Sequence, residues 1–540
     1  MVDIINPKVN VIDYGPNITL PDETIITPDE IIYGAAGITY RDTGALQQLM
    51  DLKSGKVKLD EEKYRGLSVQ QVIKKSLISS ASSGHASMST TPGFWMYLEG
   101  NCSKMVDSIF TGARFSSSLM PSGRRIPVTK EQIVIPQSIV NTRFEKDYMR
   151  ISKANIELYE QLQLKKVPKE EAAKIVQYGH RGGGFAFMPL ETLISVARNI
   201  KEDGSLVPRE ARKIVSQLED FIYSHGMGIT YEARTNAPRT GCPNPNIFHK
   251  RKNLAQELIE QNYEGVLENP VLISVTDIDT MLGERNIKIA DYLTKREKLF
   301  STQEGVEANW KNMLRELELI VEDYNDSISV KTISSSPWRV WGEVKRHRTL
   351  GQTTESVYNA INRAINVVNN TSAVFGNSIR FNEVVSIPPQ IEENKELLTS
   401  WINAFSNSVK TYERMIGEGV KESDAIMIIP RGLKLGIAKT YDFYNLTAGY
   451  MSLRLCNTAE PEMRRTTEQE KELIINSNKI SSEIKQLISP KCNYVGFCPD
   501  RYCGKVNLVS PFYTKEIHSE MKKFREEFVA LEIDNFHPED

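Results

Sequence analysis

Lys345, Arg346, His347 and Arg348 form one unbroken basic run within WGEVKRHRTLGQTTES. Arginine presents a planar fork of donors suited to phosphate or to a carbonyl-bearing ring, and it keeps its charge at any biological pH. A histidine between two arginines has its neutral form favoured by the like charges. Together these groups suit a ring system that develops negative charge, and the small polar residues that follow could cradle an anion. The plain alternative is a solvated helix end whose cations offset the C-terminal dipole. On a helix, successive side chains point about 100° apart, so the four could not all serve one surface.

A degraded copy of the run lies upstream, GARFSSSLMPSGRR at 112–125. Each copy is entered from an apolar Trp-containing segment and followed by an Ile-Pro-rich piece, IVIPQSI at 133–139 and VSIPPQI at 385–391. A second echo pairs YEQLQLKKVPKEEAAKIV, from Tyr159, with YERMIGEGVKESDAIMII, from Tyr412. The separations are similar (348 − 114 = 234; 412 − 159 = 253). Ordered echoes of this kind predict a duplicated unit of roughly 250 residues.

Arg346, His347, Arg348 and Ser356 resemble the signature of flavin-dependent thymidylate synthases, RHRxxSxNExSxRY. The upstream copy matches the same motif in complementary fashion, with Arg114 at its third position, Ser117 and Ser122 at the two serines and Arg124 at the last arginine. Gly112 and Ala113 replace its first Arg and His. Downstream, Tyr358 replaces the last arginine, and Gly351, Thr353 and Thr354 replace Ser, Asn and Glu. The segment GHASMSTTPGFWMYLEG resembles the family's GHxSxxEHxxFxFxIEG, with Thr91 in place of the second histidine. YMSLRLCNTAEPEMRR resembles LRLRxCxxAQWEIR, and Arg454 matches its nucleotide-contacting arginine. Lys174 and Ile426 fall at or beside the arginine that ends the family's YExLLExGxxxExAR segment, Arg198 is the upstream counterpart of Arg454, and Glu343 replaces a glutamine.

The resemblance implies FAD held by Arg346, His347, Arg348 and Arg114. It implies dUMP held by Ser122, Arg124, Ser356, Lys174 and Arg198, with Arg454 acting at the reaction centre. It further implies NADPH and methylenetetrahydrofolate as co-substrates, methylation of dUMP to dTMP, and a homodimer that mimics the family's tetramer. The alternatives are a diverged flavoprotein acting on another nucleotide or a pterin, and a non-catalytic nucleotide-binding homologue.

The elements that must position these groups read as a helix-rich α/β (α+β) chain, two tandem copies of one domain with a small mixed or antiparallel sheet in each. The expected division is 1–255 for the first repeat, 256–325 for a helical connection and 326–540 for the second repeat with a Cys-containing tail. Helical patterning runs over 66–112 with a polar break, over 144–178, 207–223, 391–419 and 465–487, and in the last segment. The 540 residues can bury two or three cores, and 40% apolar with 25% charged content is ordinary for a globular protein. A net charge of −2 gives no global field for nucleic acid. No apolar run approaches the length of a membrane span, so the chain reads as cytoplasmic, without membrane partners.

Six cysteines do not make a disulfide framework. Cys492, Cys498 and Cys503 are spaced more loosely than a zinc site, even with His518 as a conceivable fourth ligand, so no metal is expected. His180-Arg181-Gly182-Gly183-Gly184 reads as a turn that could alternatively present amides to an anion. His85 reads as a capping-loop residue.

Overall fold

The computed structural model describes residues 3–534 apart from 22, 38–43, 55–64, 83–86, 111, 113–114, 123–125, 238–244, 264–268, 279–282 and 372–377. The chain forms two compact units. One comprises Met1–Lys252, Pro337–Arg348 and Glu355–Leu435; the other comprises Asn253–Ser336, Thr349–Thr354 and Gly436–Asp540. These units do not follow the 1–255, 256–325 and 326–540 division, because two pieces of the later sequence pack with the first 252 residues.

Along the earlier sequence the elements are β1 (Asn6–Gly15), β2 (Gly93–Asn101), β3 (Ser117–Leu119), α1 (Phe144–Leu164), α2 (Lys169–Ala172), β4 (Gly184–Pro189), α3 (Leu190–Glu202), α4 (Arg209–Ser224) and α5 (Gly228–Thr235). They continue with β5 (Val271–Asp277), β6 (Ile328–Pro337), α6 (Trp338–Val344), β7 (Gly351–Thr354), α7 (Val357–Asn370), α8 (Lys395–Gly417), α9 (Glu422–Ala425), β8 (Lys434–Tyr441), α10 (Tyr450–Arg454) and α11 (Pro461–Ile475). The fold is α+β and helix-rich, with two small four-stranded sheets.

One sheet has the order β1-β2-β4-β3, and the other has β5-β6-β8-β7. The two orders are the same when each label is advanced by four. The β1–β2, β2–β4 and β3–β4 pairs are antiparallel, as are β5–β6 and β7–β8. Strand β5 lies in the stretch expected to be a purely helical connection.

Strand β2 corrects the helical expectation for FWMYLEGN. Phe94, Met96 and Leu98 are buried, whereas Trp95 and Tyr97 are 40% and 46% exposed. That is the period of two that a pleated strand imposes. The glycine run after His180 is likewise built for close backbone crossing. Gly183 has φ +101, and a Cβ there would lie 2.2 Å from the Leu98 carbonyl oxygen. A side chain would therefore break the entry into β4, and the run serves packing.

Helices α1 and α8 are 21 and 23 residues long. They meet where Asn155 Nδ2 donates to Ser408 Oγ at 3.1 Å, across a separation of 253 residues. The Gly179 amide donates to the Met427 carbonyl at 2.8 Å, and the Gly432 amide donates to the Lys174 carbonyl at 2.6 Å. Advancing 179 and 174 by the same 253 gives 432 and 427, so each bond is the exchanged form of the other. Gln177 and Pro430 bridge each other at that spacing (430 − 177 = 253). Reciprocal pairing of this kind characterises a two-fold interface, here inside one chain.

The second unit is tied together by a buried carboxylate. Glu470 accepts from Lys439 Nζ at 2.9 and 3.0 Å, from Tyr441 Oη at 2.8 Å and from Thr332 Oγ1 at 2.9 Å. Although burial pulls Lys439 down, Glu470 holds its ammonium above the ordinary lysine value.

Candidate functional site

Helix α6 positions the basic run. Trp338 opens it, its ring tilted by 43° against Tyr178 at 4.2 Å between ring centres, with its indole N–H donating to Ser108 Oγ at 3.0 Å. The helix ends at Val344, and Lys345, Arg346 and His347 turn out of it. The four basic residues then divide: Lys345 is sealed, Arg346 is exposed, and His347 and Arg348 are half-buried. Burial and then the neighbouring Arg346 pull Arg348 below its ordinary value.

Near the run the first unit buries a group of cations. Lys104 and Arg339 are each 8% exposed, Arg431 is 2% and Lys345 is 1%. Lys104 Nζ pairs with Asp107 Oδ2 at 2.7 Å and reaches the Pro121 carbonyl at 2.9 Å. Arg431 donates to the Ala173 carbonyl at 3.0 Å, and burial followed by Arg339 pulls it down to about 10. Burial and then Arg431 hold His180 well below its ordinary value, and its Nδ1 lies 2.7 Å from the Gln177 carbonyl. A carbonyl can only accept, so Nδ1 carries the proton and His180 is neutral. A buried cation costs stability unless hydrogen bonds or an anion offset its desolvation.

A cavity of about 590 Å³ in the same unit is lined by Arg209, Arg212, Lys213, Ser216, Lys421 and Ser423, among others, with no carboxylate in its wall. Residues 209, 212, 213 and 216 follow the i, i+3, i+4, i+7 spacing, so α4 presents them on one face. Helix α4 starts after Pro208 with no side-chain cap, and its positive dipole end favours an anion. No ion pair holds Arg209, Arg212, Lys213 or Lys421 among the described residues. The sequence expectation passed over these cations, although PREARK in a helix start and VKESD in the second echo were both legible signals.

A larger cavity, about 690 Å³, is bordered by Asp29 and Glu30. Both carboxylates are already engaged. Asp29 accepts from Ile229 and Thr230, and Glu30 pairs with Lys53 at 2.9 Å.

Residues 329–476 match the family model Thy1, thymidylate synthase complementing protein. This stretch is similar to the Thy1 family. A flavin-dependent thymidylate synthase of Pyrococcus abyssi is 29% identical over 120 residues, covering 22% of this chain and 49% of the relative. That of Pyrococcus furiosus is 28% identical over 145 residues, covering 27% and 57%. The chain thus spans about half the length of the curated relatives it matches. The crystal structure of flavin-dependent thymidylate synthase ThyX from Helicobacter pylori, complexed with FAD and dUMP, aligns at 14% identity over 41% of this chain and 97% of that one. Its TM-score of 0.28 is too low to argue from.

The Thy1 segment contains Arg346, His347, Arg348, Ser356 and Arg454. Ser356 is fully buried and caps α7: its Oγ accepts from the Tyr358 amide at 3.1 Å and donates to the His249 carbonyl. Tyr358, at the motif's last arginine, is buried and donates to the Leu206 carbonyl. Ser356 is thus engaged as a helix cap. Lys174 is fully buried and paired with Glu171 at 2.5 Å. Arg198 spends its guanidinium on the Arg234 and Thr235 carbonyls, at 2.6 and 3.0 Å, where it caps α5.

Ser122 is half-buried beside β3, its carbonyl accepting from Ile126 at 3.0 Å. Arg454 ends α10, in the second unit. Arg114, Arg124 and His85 lie outside the described residues.

In the Cys-containing tail, Cys492 is pushed up to about 12 by burial, then by Cys498, Cys503 and Cys456. His518 lies 3.2 Å from Tyr513 Oη. Among the described residues no group of three or more His, Cys, Asp or Glu is arranged to hold a metal ion.

Proposed function

We propose that the chain is a flavin-dependent thymidylate synthase-type enzyme that methylates dUMP to dTMP, drawing carbon from methylenetetrahydrofolate and electrons from NADPH through FAD. The observation that carries this reading is the run Arg346–Arg348, with buried Arg339, Lys345 and Arg431 in the same segment, which matches the Thy1 model. Those cations favour an anionic dinucleotide, Asp107 being already shared with Lys104. When bound, the flavin supplies hydride chemistry, and the protein supplies orientation and charge. Arg346 and Arg348 would offer guanidinium forks to it, and such fixed cations stabilise developing negative charge without reorganising.

The cavity between α4 and α9 is the proposed seat of the nucleotide phosphate, with Arg209, Arg212 and Lys421 as its cations and Ser216 and Ser423 as hydroxyl donors. Ser122, Arg124, Arg114 and Arg454 are assigned by motif alone.

Two tandem copies are the proposed origin of the chain. The repeated strand order and the reciprocal bonds at a spacing of 253 residues support that origin. Association of two such chains would then mimic a tetramer of single-domain subunits.

FAD-loaded protein given dUMP, methylenetetrahydrofolate and NADPH should release dTMP; no product from flavin-loaded protein ends the reading. Ser356, Lys174 and Arg198, all committed to internal bonds, favour a second one, a flavoprotein acting on another nucleotide or a pterin. Yellow protein without affinity for dUMP would single it out.

A further inference from the structure

The two sheets share a strand order but differ in how their outer faces are covered. Each has an inner face: β2 lays Phe94, Met96 and Leu98 into the core, and Lys439 of β8 turns to Glu470 on α11. On the other side of the second sheet, Ala438 and Ile333 pack with Ala255, Leu258 and Ile259. The helix Leu254–Tyr263 thus covers that side. At the spacing of 253 residues the counterpart of Ala438 is Phe185 (438 − 253 = 185). Around Phe185 the first sheet is open.

On that face Trp95 lies in register with Phe187 and Tyr97 with Phe185, and Leu119 of β3 stands opposite Phe185. Trp95 stacks on Phe185 at 5.4 Å between ring centres and lies 4.7 Å from Phe187. A register shift between Val11 and Asp13 leaves Ile12 turned outward. Ile12 is 60% exposed and Leu119 76%, beside the bare rings of Trp95 and Tyr97. An antiparallel sheet that faces water carries polar residues on that side. Here the open side is aromatic, and charge is kept to the rim, where Lys8 pairs with Glu99 at 3.5 Å and Asp13 stands on edge strand β1.

With half-exposed rings at about 100 Å² each, the patch comes to roughly 500 Å² of apolar surface. Two such patches meeting about a two-fold axis bury roughly 1,000 Å², the size at which specific association begins. A net charge of −2 over 540 residues sets up little repulsion between copies.

We infer that this aromatic face is where a second copy of the chain docks, the same face of each copy meeting the other. Face-to-face sheets about 10 Å apart let the rings interdigitate. The inference rests on the two-chain assembly in the reading above and gives it a surface. Contacts between α1 and α8 join repeats within one chain; this face joins chains.

Full-length wild type, Trp95→Glu, Leu119→Glu and, away from the face, Leu164→Glu are weighed by sedimentation equilibrium, with circular dichroism checking that each is folded. Wild type and Leu164→Glu should have twice one chain's mass. Trp95→Glu and Leu119→Glu should dissociate about a hundredfold or more readily, since each sets like charges against each other in an apolar interface. Hydroxyl-radical labelling of wild type needs no variant: Trp95 and Tyr97 should be modified severalfold less at high than at low protein concentration. Wild type with the mass of one chain overturns the inference, as does labelling that ignores concentration or a two-chain mass kept by both folded face variants. Each of those results leaves dTMP formation by FAD-loaded protein free to stand. Wild type that dimerises through this face yet makes no dTMP keeps the inference and ends the enzymatic reading.

Discussion

Lys345 and Arg346 are adjacent in the sequence, yet one is 1% exposed and the other faces solvent. Their chemistry separates accordingly. Burial pulls Lys345 down to about 7, against an ordinary lysine value near 10. Below about pH 7 both folded and unfolded chains hold the proton, and folding bears the full cost of burying it. Between about 7 and 10 the unfolded chain binds more protons, so stability rises with pH. The ligand-free melting temperature should therefore climb from pH 7 to pH 9, and Lys345→Met should flatten that part of the profile. Arg346→Ala should lose flavin about tenfold or more in affinity with little change in melting temperature, because an exposed side chain holds little of the fold. Ser356→Ala should do the reverse, costing about 2 kcal/mol in denaturant unfolding through the lost cap while flavin binding persists.

At the scale of elements, the face of α4 and the carboxylate behind β6 and β8 have opposite uses. Glu470 is fully satisfied, so Glu470→Gln leaves the Lys439 ammonium uncompensated and should destabilise the protein by about 3–5 kcal/mol. Among the described residues no ion pair holds Arg209, Arg212 or Lys421. Arg212→Ala should weaken dUMP binding about tenfold, more at low salt than at high, and should leave the melting temperature nearly unchanged. Long helices were legible: α1 and α8 follow their apolar periodicity. Strand β2 was not, because GFWMYLEGN is rich in residues that suit either state, and only its neighbours β1 and β4 impose the pleat.

For the whole molecule, the compact units cut across the sequence halves. Residues 1–255 alone lack Pro337–Arg348 and Glu355–Leu435, which complete the first unit. That fragment should be insoluble or unfolded by circular dichroism, and coexpression with 256–540 should restore a soluble complex. A folded, cooperative 1–255 fragment would show that its core needs none of those later residues. No helix among the described residues is long and apolar enough to cross a membrane.

The sequence by itself determined the basic run, its damaged twin and the two spacings, since these depend only on residue identity and order. Tertiary structure decided which of those residues are available. Ser356, Lys174 and Arg198 match motif positions, but Ser356 and Arg198 are engaged at helix ends and Lys174 by the Glu171 carboxylate. Arg209, Arg212 and Lys421 match no motif and converge only because α4 and α9 come together around one cavity. A side chain's type is written locally; whether it keeps a free donor depends on every group that folding brings within reach of it.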